Sequence, residues 1–288
     1  MDFIARAANQ TPSTYRLVDC LSKVLIIACK ESTDLLEEVL TKEGFHVEVL
    51  RQEHKPEYQN FSRSYLCLMN HRRAWEQAAT ASKPTLIIEA DFVPVVGFGQ
   101  LPLPFNPSQN NVGISWLYTC APQVYSVSAE GYAEGFSAST VAYIITPQGA
   151  KCLIDLAEET REKKGAEVYS AWDSGVDNFL RAKKLKNYIP FRNYGEHGGL
   201  PNLEHYKNGL SKTHRADVLY GKLAFLPLYA AAEKGEYLKL LSARFEARLK
   251  GIARLATGKF LRIRVLQGSK FPARMLSFAI RRQLSMYL

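Results

Sequence analysis

Pro84-Thr85-Leu86-Ile87-Ile88-Glu89-Ala90-Asp91 is a short apolar run that ends in two carboxylates spaced two apart. A run of that length bounded by breakers fits a strand buried on both faces, as in a parallel sheet. Side chains alternate along a strand, so the stretch predicts Glu89 and Asp91 on one side and Ala90 on the other. In open α/β sheets ligands bind beyond the carboxyl ends of the strands. A pair of acids there can hold a divalent cation, and the cation a diphosphate. A strand that merely ends in polar turn residues would spell the same letters, so the reading depends on what surrounds it.

Upstream, residues 24–29 read as a first buried strand after a polar lead-in over 1–22. A helix over about 32–43 and a strand over 46–50 follow, with Leu35, Leu36, Val39 and Leu40 at helical spacing and Gly44 as the stop. That succession is a βαβ unit. A second helix, about 61–80, leads into the Glu89 strand. Downstream, after a Pro/Gly-rich loop over 94–107, strands are predicted at 112–117 and 139–145. Thr146-Pro147 opens a helix to about residue 159, with Thr as cap and Pro at the first helical position. A helix over about 173–184, a short strand at 187–190 and a glycine-rich loop at 194–199 complete the region. Alternating strands and helices predict an α/β fold with a mostly parallel sheet flanked by helices. We divide the chain into a catalytic domain over 1–209 and a basic, helical extension over 210–288.

At 288 residues and 47% hydrophobic content the chain can build a sizeable core. Cys20, Cys29, Cys67, Cys120 and Cys152 are scattered, form no CxxC pair and are odd in number, which argues against a disulfide framework. A reducing, cytoplasmic setting is expected, and the N-terminus shows no basic-then-apolar leader. The longest apolar stretch, residues 223–232, is broken by Pro227 and too short to span a bilayer. Charge is uneven. Residues 210–288 hold 16 Lys+Arg and 4 Asp+Glu, a balance of +12, so the net charge of +9 leaves −3 for residues 1–209.

Cys67, His71 and Trp75 fall four apart in the second predicted helix and share a face with Leu68, Ala74 and Ala78. Each alone reads as a core residue. Together, Cys67-x-x-Asn70-His71, the following Trp75 and the Leu86–Asp91 strand resemble glycosyltransferase family 25, which includes the lipopolysaccharide-biosynthesis glycosyltransferases. Downstream, Ala142-Tyr143-Ile144-Ile145 leading to Gly149-Ala150-Lys151, and Val176-Asp177, look like further family segments. The resemblance covers roughly residues 22–205. Ala90 stands where the family has a middle Asp, and Asn70 where it has Ser.

The resemblance implies a GT-A fold and a nucleotide-sugar donor, often UDP-galactose. It implies a lipid-linked or polysaccharide acceptor, an inverting mechanism, and Mn²⁺ or Mg²⁺ held by acidic side chains. On that reading Asp91 takes the metal, Glu89 the metal or the ribose, and His71 lies with the donor. Asp177 matches the family position for the base that deprotonates the acceptor, with Asp173 one helical turn earlier as second choice; either is equally an acid compensating a helix dipole. His197, in its glycine-rich loop, is expected on a flexible flap that closes over the donor as a further metal ligand, or as an exposed turn histidine. Lys30, past the first strand, pairs with phosphate or is a solvated lysine.

In the extension, Leu241, Phe245, Leu249, Ile252, Ala256, Phe260 and Ile263 form one helical stripe, with Arg244, Lys250, Arg254, Arg262 and Arg264 largely off it. A basic amphipathic helix fits adsorption at an anionic membrane surface, and equally a helix packed on the domain with a solvated basic face. Nucleic acid is disfavoured as a partner, because no aromatic platform or recognised motif accompanies the charge. Two other classes remain: a non-catalytic sugar-nucleotide-binding protein of the same fold, and a membrane-surface adaptor.

Overall fold

The computed structural model describes residues 15–200, 207, 214–231 and 235–285. A lead-in helix, α1 (Leu17–Cys20), precedes strand β1 (Val24–Ala28), which is buried at every position because its side chains feed two cores. Val24 and Ile26 pack with Leu36 and Leu40 of α2 (Asp34–Lys42) on one face. Leu25 and Ile27 pack with Leu68 and Trp75 of α3 (Arg63–Ala78) on the other. Strand β2 (Val47–Arg51) and strand β3 (Thr85–Glu89) pair in parallel with β1 on its two sides. Burying one Leu or Ile fully is worth about 1.5–3 kcal/mol, so continuous apolar runs belong in the middle of this sheet.

The remaining strands are β4 (Phe92–Pro94), β5 (Val112–Trp116), β6 (Gln123–Val127), β7 (Ala133–Phe136), β8 (Ala142–Ile145), β9 (Lys186–Ile189) and β10 (Gly195–His197). The main sheet has the order β2-β1-β3-β8-β5-β9-β7-β6. Six of its eight strands run one way; β8 and β7 run against them. The fold is therefore the expected α/β layout with a mostly parallel sheet, but β8 is inserted antiparallel between β3 and β5. Helix α4 (Pro147–Lys164) starts where predicted: the Thr146 hydroxyl accepts from the Gly149 N–H at 3.0 Å and Pro147 fills the first turn. The helix predicted over 173–184 divides into a 3₁₀ turn, Trp172–Gly175, and α5 (Val176–Ala182).

The glycine-rich stretch read as a flexible loop is strand β10, paired antiparallel with β4 in a small second sheet. Gly195 is required there, since a Cβ would overlap the Phe92 ring and the Val93 carbonyl. The N-terminal lead-in up to residue 14 lies outside the described residues.

Beyond residue 214 come α6 (Leu228–Ala231), α7 (Glu236–Ala256), α8 (Ile263–Gln267) and α9 (Pro272–Leu284). Phe260, Met275, Phe278 and Ala279 join the core on the α3 face. Helix α7 packs by the side opposite to its apolar stripe: Arg244, Ala247 and Gly251 are buried, while Leu238, Leu241, Phe245 and Leu249 are exposed. This corrects the expectation of a helix packed by its stripe with a solvated basic face. Arg244 is in the interior because it answers a charge there, donating from Nη1 to Glu196 Oε2 at 2.7 Å. Arg282 of α9 likewise grips Asp217 through both terminal nitrogens.

Candidate functional site

Glu89 is the last residue of β3 and shares the α3 face with Ile87, so it meets that helix. Its Oε1 lies 3.4 Å from His71 Nε2 and accepts from the Thr140 hydroxyl at 3.3 Å. His71 is fully buried, with the Trp172 ring tilted against it and ring centroids 5.1 Å apart. Its Nδ1 lies 2.8 Å from the Tyr143 hydroxyl, which accepts from Trp75 Nε1 at 2.8 Å. One arrangement satisfies every member: Trp75 donates to Tyr143, Tyr143 donates to His71 Nδ1, and the His71 Nε2–H faces Glu89. The antiparallel insertion of β8 makes this chain possible, since it sets Tyr143 beside Ile87.

Asp91 behaves differently. The strand stops at Glu89 and turns through Ala90 and Asp91 into β4, so the predicted alternation does not reach Asp91. Its Oδ2 lies 3.0 Å from His197 Nε2, and its carbonyl accepts from the Gly198 N–H at 2.7 Å. The two acids are thus divided between two histidines rather than pointing together from one strand. Burial alone pushes the Asp91 carboxyl up, but His197 and Arg215 outweigh it and hold the group below the ordinary carboxylate range. Burial likewise pushes His197 down, and Asp91, with Glu89 adding, more than reverses it.

The residues around Asp91 and His197 fit a hard divalent cation. Asp91 Oδ2 and His197 Nε2, 3.0 Å apart, are spaced as two ligands of one ion that replaces the hydrogen bond between them. His197 Nδ1, buried and unpartnered, points away from Asp91 across the ring. Gly199 stands against the pair, and a Cβ at that position would overlap the Asp91 carboxylate. Carboxylate oxygen and imidazole nitrogen are ligands that Mn²⁺ accepts. Among the described residues, Cys67, His71 and Glu89 form a second group whose ligand atoms lie within 4.8 Å of one another. It suits such a cation less well. It brings a thiol where a hard cation selects oxygen, and burial, reinforced by Glu89, raises that thiol well above its ordinary range.

Of the two candidate bases, Asp177 does not reach this end of β3. Its carboxylate accepts from Tyr125 of β6 at 2.9 Å and from Asn187 of β9 at 2.8 Å. β9 is three strands from β3 in the sheet, about 14 Å at ordinary strand spacing. Burial raises the Asp177 carboxyl despite both donors. Asp173, by contrast, follows Trp172, whose ring lies on His71, and its charge acts on Cys67 beside Glu89 and on Cys120. Lys30 is exposed just past β1.

Several residues at the site are not among the candidates read from the letters. Tyr143 and Thr140 reach Glu89's surroundings from 50 or more residues away. Arg215 donates to the carbonyls of His197 and Gly199 at 2.8 and 2.9 Å and stacks on Tyr229, its guanidinium carbon 3.8 Å from the ring centroid. Its place in the basic extension was the one hint.

What fold and site define together is an α/β protein with a histidine–carboxylate centre beyond the carboxyl end of a central strand. No family model matches the chain, and no curated protein does. Among solved structures, it is similar to a glycosyltransferase involved in the glycosylation of the major capsid of PBCV-1, at 12% identity over 58% of this chain and 80% of that one, with a TM-score of 0.38. A likeness of that score assigns no residue role and no substrate.

Proposed function

We propose that this chain is a glycosyltransferase of the family-25 type, moving galactose from a nucleotide-diphosphate donor to a lipopolysaccharide or polysaccharide acceptor with inversion. The observation that carries the reading is the part-buried Asp91–His197 pair beyond β3, whose Oδ2 and Nε2 lie 3.0 Å apart with Arg215 clasping the adjoining carbonyls. Asp91 and His197 would hold Mn²⁺ or Mg²⁺, with Glu89 on the ion or on the donor ribose; a metal bound there neutralises charge on the departing diphosphate. Arg215 adds fixed positive charge beside the pair, and Lys30 takes a phosphate oxygen. The Trp75–Tyr143–His71 chain fixes the direction in which Glu89 presents its carboxylate. We prefer Asp173 to Asp177 as the base. The acceptor hydroxyl attacks the anomeric carbon from the face opposite the diphosphate; its proton passes to Asp173 as the bond to the diphosphate oxygen breaks. Such assistance is worth on the order of 10²–10⁴-fold.

Mn²⁺ uptake and turnover of UDP-galactose test the reading in wild type, Asp91→Asn and Glu89→Gln. Loss of uptake in Asp91→Asn and a fall in turnover of roughly 100-fold or more are expected. Uptake and turnover unchanged in both variants would overturn it. Donor binding without turnover in the wild type would mark a binding protein of the same fold instead.

We also assign the chain to the cytoplasmic side of a membrane, held peripherally. Among the described residues no helix is long and apolar enough to cross one. The support is the bare stripe of α7, with Leu238, Leu241, Phe245 and Leu249 each more than half exposed, beside the exposed Lys259, Arg262, Arg264 and Lys270. Apolar side chains rimmed by cations suit an anionic lipid surface. Sedimentation of the full chain with phosphatidylglycerol vesicles checks this: binding should fall in Phe245→Glu, and equal binding to neutral vesicles would reject it.

A further inference from the structure

A cavity of about 630 Å³ opens beside the Asp91–His197 pair, between the turn at residues 119–122, Tyr229 of α6 and the buried side of α7. Four cationic side chains line it: Arg215, Lys239, Lys250 and Arg254. Two acids answer them, and neither is available to a ligand's cations. Asp217 is taken by Arg282, Gln283 and Asn193, and Glu246 pairs with Lys250 at 2.6 Å. The wall is therefore positive on balance.

Two donors on this wall are unsatisfied. Tyr229 is 5% exposed, and its hydroxyl is buried with no partner. Arg254 Nε is likewise buried and unpaired, and among the described residues no carboxylate reaches that guanidinium. A half-buried guanidinium with no direct ion pair is costly, and burial lowers its affinity for its proton even against the pull of Asp217. Protein interiors keep such a group where something else supplies the negative charge. The rest of the wall is small and apolar (Ala121, Pro122, Ala243, Ala247, Gly251), and Gly251 has no room for a Cβ because Asp217 and Gln283 press on it.

We propose that this cavity binds the acidic group, phosphate or carboxylate, of a saccharide, with Arg254 and Tyr229 as its principal donors. The volume suits one or two sugar units, the cations suit a single anionic substituent, and the small apolar floor suits a sugar ring's hydrophobic face. The cavity lies next to Arg215, which itself clasps the His197 and Gly199 carbonyls, so a sugar held there stands beside the metal-binding pair. The Asp173 carboxylate acts electrostatically on both sides, on Cys120 of the cavity wall and on Cys67 beside Glu89. Resting on the sugar-transfer reading, this makes the acceptor an acidic saccharide, and its anionic group fixes which hydroxyl faces the base.

Calorimetric titration of the full chain in EDTA, with glucose 6-phosphate, glucuronate, glucose and UDP, tests the assignment. Working without metal separates it from the sugar-transfer reading: acidic-sugar binding with no Mn²⁺-dependent donor turnover would sink that reading and leave the cavity standing. One of the two acidic sugars should bind at least about tenfold more tightly than glucose, and which one does so distinguishes phosphate from carboxylate. Arg254→Met should lose about tenfold of that affinity and Tyr229→Phe about fivefold, with Arg254→Lys in between. Equal affinity for glucose and both acidic sugars, or acidic-sugar binding undiminished in Arg254→Met and Tyr229→Phe, would overturn the proposal. So would a loss confined to UDP in Arg254→Met, which would make the cavity part of the donor site.

Discussion

Replacing Arg244 by Met should destabilise the protein strongly, and in a way that depends on pH. Glu196 is fully buried, and Arg244 is 5% exposed. The carboxylate accepts from Arg244 Nη1 at 2.7 Å, from the Ala216 N–H at 2.9 Å and from the His197 N–H at 3.0 Å. Removing one partner of a buried pair leaves an uncompensated charge and costs about 3–5 kcal/mol. The pH dependence follows from Glu196 itself, which burial already holds above the ordinary carboxylate range against the pull of Arg244. In Arg244→Met that pull is gone and the folded value climbs further, while the unfolded carboxyl titrates normally. A carboxyl whose folded value exceeds its unfolded one weakens the fold at high pH, and the penalty fades as pH falls through the folded value. Urea unfolding at pH 8 should therefore show the full loss, with unchanged dependence on urea, and at pH 5 a distinctly smaller one. A loss under about 1 kcal/mol, or one of equal size at both pH values, would refute the reasoning, because it would mean that Glu196 is neutral or solvated.

Asp217 offers the opposite sign: burial alone would raise it, but Arg282 holds it at about 2. Its stabilising share, about 2 kcal/mol, is present above the unfolded carboxylate value and disappears as pH falls through 2, so Asp217→Asn should flatten the acid limb of the stability curve. An acid limb unchanged in that variant would contradict the pairing. Gly199→Ala should weaken Mn²⁺ uptake roughly tenfold by turning the Asp91 carboxylate aside, with far-ultraviolet dichroism unaltered. Uptake at the wild-type level would remove Gly199 from the site. Tyr143→Phe should cost about 1–3 kcal/mol by thermal unfolding, since it leaves Trp75 Nε1 and His71 Nδ1 buried without partners. In the same variant the His71 ring nitrogens, followed by ¹⁵N resonance, should change tautomer; an unmoved spectrum would break the relay to Glu89.

Where the letters were uniformly apolar, they were easy to read. β1 and β3 announce themselves because both faces are buried, and the Thr146-Pro147 cap worked as its chemistry demands. The same property hid the direction of β8: a strand buried on both faces has the same composition whichever way it runs. The β6–β7 hairpin went unread because a bulge between Val124 and Ser126 interrupts the alternation on β6 and the inward positions of β7 are only Ala133 and Gly135. Glycines made β10 look like a loop, although Gly195 is there to let Phe92 pass close. Glu89, Asp91 and His197 were each legible as candidates, but their pairing was not, because a turn at Ala90 ends the strand geometry one residue early. Asp177 carried the stronger motif, but α5 turns it toward Tyr125 of β6 and Asn187 of β9; Asp173 follows Trp172, whose ring tilts against His71. Arg244 was misplaced for a related reason: hydrophobic periodicity finds a helix's apolar side, and here that side is not the one that packs.

Helix α7 therefore has two working sides about a helix diameter apart. One side walls the cavity with Ala243, Ala247, Gly251 and Arg254; the other carries Leu241, Phe245 and Leu249. Anything on which the stripe rests is spaced from the cavity by about 10 Å of polypeptide. Were a substrate anchored in that same surface, such a spacer would set its minimum reach: a bare headgroup would fall short, and one extended by a sugar or two would clear the helix.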